Sequence, residues 1–125
     1  MDNLNVLIVE DCVLMAEALE DLFADNGVQV VAKANSVQSA FAALADHAVE
    51  LVCLDIDLCG ESSFAVAEHL ASCAIPFVFV TAVERRKLPP AYQQRPFVRK
   101  ADIPTQLLST CRQATQQDFA AMEAV

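Results

Sequence analysis

The chain has 125 residues, 55% of them hydrophobic, with 17 acidic against 8 basic side chains and a formal charge of −9. That length suits one domain with a real core, and so apolar a composition argues against disorder. The acidic balance argues against an extended nucleic-acid surface, which needs a net basic footprint for the phosphate backbone.

In chain order, Val6-Leu7-Ile8-Val9 reads as a first buried strand. A helix follows, with Met15, Leu19, Leu22 and Phe23 on one face, Glu17, Glu20 and Asp21 mostly on the other, and Gly27 as its stop. Val28-Gln29-Val30-Val31 alternates in part, as a strand nearer a sheet edge would. Val37, Phe41, Leu44, Ala45 and Ala48 stripe a second helix, with Asn35 or Ser36 as its N-cap. Leu51-Val52-Cys53-Leu54 is a third strand, and Phe64, Ala67, Leu70 and Ala71 serve a third helix. Phe77-Val78-Phe79-Val80 is the fourth strand. Pro89-Pro90 interrupts the stretch from Val83 to Gln94, so only a short or displaced helix is expected there. Phe97-Val98, after Pro96, makes a weaker fifth strand. Leu108, Cys111, Phe119 and Met122 mark a long last helix, capped by Asp102 with Pro104 in its first turn.

The continuous apolar runs are those of parallel strands covered on both faces. Strand and helix alternate five times, which predicts a doubly wound α/β fold, a flavodoxin-like (βα)5 sheet in the order 2-1-3-4-5. One domain is expected to fill residues 1–125, with no repeat or linker. The cysteines Cys12, Cys53, Cys59, Cys73 and Cys111 form an odd set with no CxxC pair, so neither a disulfide framework nor a zinc site is expected. Cys53 and Cys73 lie in or beside apolar runs, where a free thiol acts as a small hydrophobe. No secretory signal and no apolar run of membrane-spanning length is visible, so the expected compartment is the cytoplasm.

Ligands of such sheets bind beyond the carboxyl ends of the strands. The residues at those ends are Glu10 and Asp11 after strand one, Asp55 and then Asp57 after strand three, Thr81 after strand four and Lys100 after strand five. Strands one and three are neighbours in this order, so Glu10, Asp11 and Asp55 converge. Two carboxylates ~4 Å apart repel by roughly 4 kcal/mol at an effective dielectric of 20, which calls for a cation or raised pKa values. An all-oxygen set suits magnesium, beside which a carboxylate can attack phosphorus. Lys100 would meet one phosphoryl oxygen as a point charge and Thr81 another as a hydroxyl donor. Each residue has an ordinary explanation alone: a helix N-terminus for Glu10 and Asp11, a turn for Asp55, a capping hydroxyl for Thr81, a solvated Lys100. Their occurrence together, at one end of successive strands, is what favours chemistry.

The segments VLIVED, LVCLDIDL, PFVFVTA and FVRKADIPTQLL resemble the receiver domains of two-component response regulators, from Asn5 to about Phe119. The resemblance implies a phosphoacceptor Asp55, with Glu10, Asp11 and the Asp57 backbone carbonyl helping to hold Mg2+. It implies Thr81 as the switch hydroxyl, Lys100 as the family's lysine and Phe97 as its aromatic switch. Implied partners are a histidine kinase or histidine phosphotransfer protein and a downstream regulatory protein, with no nucleic acid and no membrane, in a monomer or weak dimer. The protein would catalyse only its own phosphorylation and dephosphorylation, serving as a shuttle, sink or protein–protein switch. PFVFVTA is also similar to the PFxFATGY of a single-domain subgroup, with Val80 and Ala82 in place of its alanine and glycine.

Three positions depart from the family pattern. Ala101 follows Lys100 where proline is usual, often after a cis bond; a cis bond here would cost ~3–4 kcal/mol, so another loop path is expected. Asp57 places a second acid near the acceptor, either modulating it or simply solvated. The two prolines predict an altered fourth-helix surface. The basic residues Arg85, Arg86, Lys87, Arg95, Arg99 and Lys100 cluster in one stretch, and its segment from Arg85 to Arg95 reads as a solvated loop in preference to a dock for an acidic partner. His47 and His69 read as surface or satisfied residues, Gly60 as a turn, and Cys59 as near the site without a reason for a lowered pKa.

Two other functions compete. Asp55-Ile56-Asp57 resembles the acid pair of haloacid-dehalogenase phosphatases, although Cys59 stands where threonine or valine is usual and a βα set precedes the motif. A receiver-like module that binds partners without phosphorylation is the other. A flavodoxin-like cofactor binder is disfavoured by the chain's two glycines and the lack of a phosphate loop after strand one.

Overall fold

The computed structural model describes residues 4–123, and side chains up to residue 116. In chain order the elements are β1 (Asn5–Val9), α1 (Val13–Asp25), β2 (Gln29–Ala34), α2 (Val37–Asp46), β3 (Leu51–Leu54), β4 (Asp57–Leu58), β5 (Glu61–Ser62), α3 (Phe64–Ser72), β6 (Phe77–Thr81), β7 (Phe97–Arg99) and α4 (Ile103–Glu123). The main sheet runs β2-β1-β3-β6-β7, parallel at every pairing. This is the expected 2-1-3-4-5 order, because β4 and β5 form only a small separate antiparallel ribbon.

Side chains alternate across a strand, so the buried runs feed two cores. Val6, Ile8, Cys53, Val78, Val80 and Val98 face α1 and α4, where Leu19, Phe23, Leu107 and Cys111 meet them. Leu7, Val9, Val52, Leu54, Phe77 and Phe79 face α2 and α3, against Ala40, Val66 and Leu70. The edge strand β2 is only partly buried, which explains its mixed pattern.

The helices start and stop for local reasons. Ser36 caps α2 in a reciprocal capping box with Ser39, which selects it over Asn35. α4 opens directly behind Asp102, and Pro104 occupies its first turn, where a missing N–H has no helical partner to lose. Phe119 and Met122 lie outside the described side chains.

Three expectations need correction. The inward face of α2 is carried by Val37, Ala40, Ala43 and Leu44; Ala45 and Ala48 are exposed. Phe41 leaves the core because its ring meets His69 edge-on, 5.4 Å away, bridging α2 to α3 at the surface. In α3 the inward residue beside Ala67 and Leu70 is Val66, and Ala71 is exposed. Cys73 sits exposed past the end of α3, whereas Cys53 is buried as a small hydrophobe should be.

Between β6 and β7 there is no α-helix, but two 3-10 turns, Arg85–Lys87 and Pro90–Tyr92. Leu88 and Pro89 precede prolines and are extended, with ψ of 150° and 148°, which breaks helical continuity. Side chains close the gap. Arg85 Nη1 donates to Gln93 O and Arg95 O, both at 2.8 Å, and the guanidinium lies 5.0 Å over the Phe97 ring. Arg95 lies 4.8 Å over Phe77. Part of the basic stretch is therefore structural glue. No helix among the described residues is long and apolar enough to cross a membrane.

Candidate functional site

Register brings the strand tips level. Val9 pairs with Leu54, and Asp55 N–H donates to Val9 O at 2.9 Å, so Glu10, Asp11 and Asp55 leave the sheet side by side. One carboxylate oxygen from each lies within 4.8 Å of the others. Glu10 and Asp55 are buried and Asp11 is half-buried. On the other side of β3, Leu54 pairs with Phe79, and Thr81 ends β6 opposite Arg99, the residue before Lys100. Thr81 is therefore on the next tip, buried, its Oγ1 accepting the Val83 N–H at 3.2 Å.

Lys100 joins the cluster despite Ala101. No peptide bond among the described residues is cis, and Lys100 instead opens a 3-10 turn, Lys100–Asp102. Its Nζ lies 3.1 Å from Asp55 Oδ2 and 3.0 Å from Glu10 Oε1. One cation thus faces three carboxylates, and the imbalance shows in their protonation. Burial pushes Glu10 up to about 7; Lys100 and the Cys12 N–H pull it down, and Asp55 adds to the rise. Asp11 is held below the usual range, first by the Cys59 thiol, then by Glu10, with burial opposing and the Cys59 N–H a smaller cause. Burial acts to lower Lys100, but the adjacent Glu10 and Asp55 carboxylates outweigh this and hold it above its ordinary value.

The cluster suits a hard cation. Glu10 Oε1 is buried and, although near Lys100, receives no aligned hydrogen bond, so a lone pair is left open. Three carboxylate oxygens beside a single lysine match the oxygen-ligand preference and charge need of magnesium.

Asp57 stands apart from this group. It is exposed, in the ribbon, and its Oδ1 accepts the Gly60 N–H at 2.9 Å. A carboxylate committed to its own turn is poorly placed as the general acid of a phosphatase pair. Phe97 is half-buried under Arg85. His47, just past the end of α2, and His69, on α3, are both exposed and belong to no carboxylate cluster among the described residues. One contact escaped the sequence reading: Cys59 N–H donates to Asp11 Oδ2 at 2.9 Å, across 48 residues of chain. Its signal was the Cys59-Gly60 dipeptide between two short segments, a two-residue hairpin in an uncommon spelling.

A parallel doubly wound sheet with a carboxylate trio and a lysine at its carboxyl edge defines a class, the phosphoacceptor receivers. The sequence profile described as response regulator receiver domain matches residues 6–94. The chain belongs to the response regulator receiver domain family. It is 35% identical over 88 residues to "Sensory transduction protein LytT" of Bacillus subtilis (strain 168), a match covering 68% of this chain and 36% of that protein. The solution structure of SdrG from Sphingomonas melonis Fr1 is similar at a TM-score of 0.73 and 32% identity, covering 86% of this chain and 95% of that one. The receiver domain of PhyR from Erythrobacter litoralis gives 0.74 and 32%, covering 95% and 92%. PhyR from Brucella abortus gives 0.83 and 30%, covering 96% of this chain and 51% of that one.

Proposed function

We propose that residues 1–125 act as one receiver domain that accepts a phosphoryl group on Asp55 from the phosphohistidine of a histidine kinase or phosphotransfer protein. The observation that carries this reading is Lys100 Nζ held between Asp55 Oδ2 and Glu10 Oε1, at 3.1 and 3.0 Å. It pairs the intended nucleophile with a cation while leaving the carboxylate trio short of positive charge. Glu10, Asp11 and Asp55, with the Asp57 carbonyl, would hold Mg2+. When bound, the ion would neutralise charge on the transferring group.

Asp55 supplies the attacking oxygen: its bond to phosphorus forms as the phosphorus–nitrogen bond of the donor breaks, and the imidazole leaves with that electron pair. Lys100 then shifts its charge toward a phosphoryl oxygen. Thr81 offers its hydroxyl to another, giving up the Val83 contact, and Phe97 follows as the aromatic switch. The exposed pair Val13 and Leu14, at the start of α1 beside Asp11, offers the donor protein an apolar footing. The output is a change of surface read by a regulatory partner, and no external substrate is turned over.

The test is intact mass after incubation with Mg2+ and a small phosphodonor. Wild type should gain one phosphoryl group and Asp55→Asn none. Equal gain in both proteins would remove Asp55 from the role, and sustained phosphate release from a generic phosphomonoester would favour a phosphatase.

A further inference from the structure

The connection from β3 to α3 reaches the site through its own backbone. Cys59 and Gly60 both have positive φ, 54° and 84°, and join Leu58 to Glu61 across the ribbon. Two consecutive residues of this kind make the tight primed turn whose twist matches paired strands. Glycine adopts it freely; a cysteine, with its Cβ, does so only when its surroundings hold it there.

The surroundings are plain. Leu58 is buried in the α2–α3 core. Ser63 N–H donates to Ile56 O at 2.8 Å, closing the ribbon's base, and Asp57 Oδ1 takes the Gly60 N–H at 2.9 Å. The turn so fixed aims the Cys59 N–H out of the ribbon at Asp11 Oδ2, 2.9 Å away. Asp11 is half-buried at the mouth of the site, where a carboxylate without a partner would sample several rotamers.

We propose that the backbone N–H of Cys59, presented by the Cys59–Gly60 turn, is a positioning group that sets the Asp11 carboxylate for cation binding. The proposal rests on the receiver reading and deepens it. Cys59 touches neither phosphoryl group nor acceptor; it acts through Asp11. The placement of Asp11 requires the N–H and a left-handed backbone; the thiol, which also helps keep Asp11 ionised, is dispensable for that placement.

Two substitutions separate those requirements. Cys59→Gly keeps the N–H and the positive φ and removes the side chain. Cys59→Pro removes the N–H and cannot reach the φ. Calorimetric titration with MgCl2 alone should show Cys59→Pro about tenfold weaker than wild type and Cys59→Gly within about twofold of it, the scale of lost outer-shell support. Independently of metal and of any disruption by proline, amide exchange in chelator should show the wild-type Cys59 N–H protected, with the protection lost in Asp11→Ala.

Equal Mg2+ affinity in Cys59→Pro and wild type would overturn the proposal, as would an unprotected Cys59 N–H in the wild type. Failure of the receiver reading looks different: the wild type would then neither bind Mg2+ nor take a phosphoryl group.

Discussion

Two connections leave this sheet and are held by different physics. The β3–α3 connection is held by main chain: Asp55 N–H on Val9 O, Ser63 N–H on Ile56 O, the two-rung ribbon, and Cys59 N–H on Asp11. The β6–β7 connection has backbone hydrogen bonds too, but they stay within its own turns, and side chains tie it together and to its neighbours. Arg85 reaches two carbonyls and a ring, Gln93 Nε2 donates to Leu88 O at 2.9 Å, and Tyr92 stacks on Phe64 at 5.0 Å and 6°. Backbone contacts are set by register and tolerate substitution. A connection whose tertiary ties include a guanidinium and a phenol ring is more sensitive to substitution at those positions. Precision is thus concentrated where carboxylates must meet, while the segment between Thr81 and Phe97, the pair proposed as the switch, is fastened largely by side chains.

The largest expected effect tests the precise end. In metal-free protein the Glu10 carboxyl, ordinarily at 4.5, stands at about 7 because it is buried. A folded-state pKa raised above the unfolded value favours folding while the group is protonated. That contribution is full below pH 4.5 and disappears as pH rises through 7. The shift corresponds to roughly 3 kcal/mol. Chemical denaturation in chelator should show stability falling between pH 5 and pH 7.5 more steeply in wild type than in Glu10→Gln, and Mg2+ at pH 7.5 should restore it. Parallel pH profiles for the two proteins would mean that the crowded carboxylates carry no such cost.

The precise end was also the legible end. Val6–Val9 and Leu51–Leu54 announce parallel strands by unbroken apolar runs, and neighbouring parallel strands leave no choice about where Glu10, Asp11 and Asp55 emerge. Lys100 was legible for the same reason, one residue past β7. The Cys59 contact was not, because a backbone N–H has no letter in a sequence. The phase of α2 was misread because Phe41 outweighs alanines on any hydropathy scale. Yet Ala40 fits under the sheet, while the ring finds His69 outside. The arginines of the β6–β7 connection read as solvated charge, since charge count carries no record of a planar group lying on Phe97 or Phe77.

That last misreading supplies the next test. Arg85→Ala removes two hydrogen bonds to carbonyls and the contact with Phe97. Because Arg85 is exposed, the expected loss is about 1–2 kcal/mol, well below the sum of such contacts in a dry site. Arg85→Lys should recover less than half of it, since an ammonium can meet the carbonyls but has no planar face to lie on the Phe97 ring. Urea midpoints for the three proteins decide this. Full rescue by lysine would mean that charge alone holds the segment, as in an ordinary solvated loop.

The smallest effect separates the ring from the guanidinium. Tyr92 is half-buried, face to face with Phe64 and edge-on to Phe79 at 5.6 Å. A double-mutant cycle of Tyr92→Leu with Phe64→Leu keeps apolar bulk at both positions and isolates the ring–ring coupling, expected at about 1 kcal/mol. If Arg85 and Tyr92 fasten opposite ends of one connection independently, Tyr92→Leu combined with Arg85→Ala should be additive. The two ring partners differ, Phe97 on β7 and Phe64 on α3, although Arg85 also holds the carbonyls of Gln93 and Arg95, close to Tyr92 in the chain. Strong coupling between Arg85 and Tyr92 would show instead that the connection moves as one body, so that displacing Phe97 would lift the segment from α3 as well.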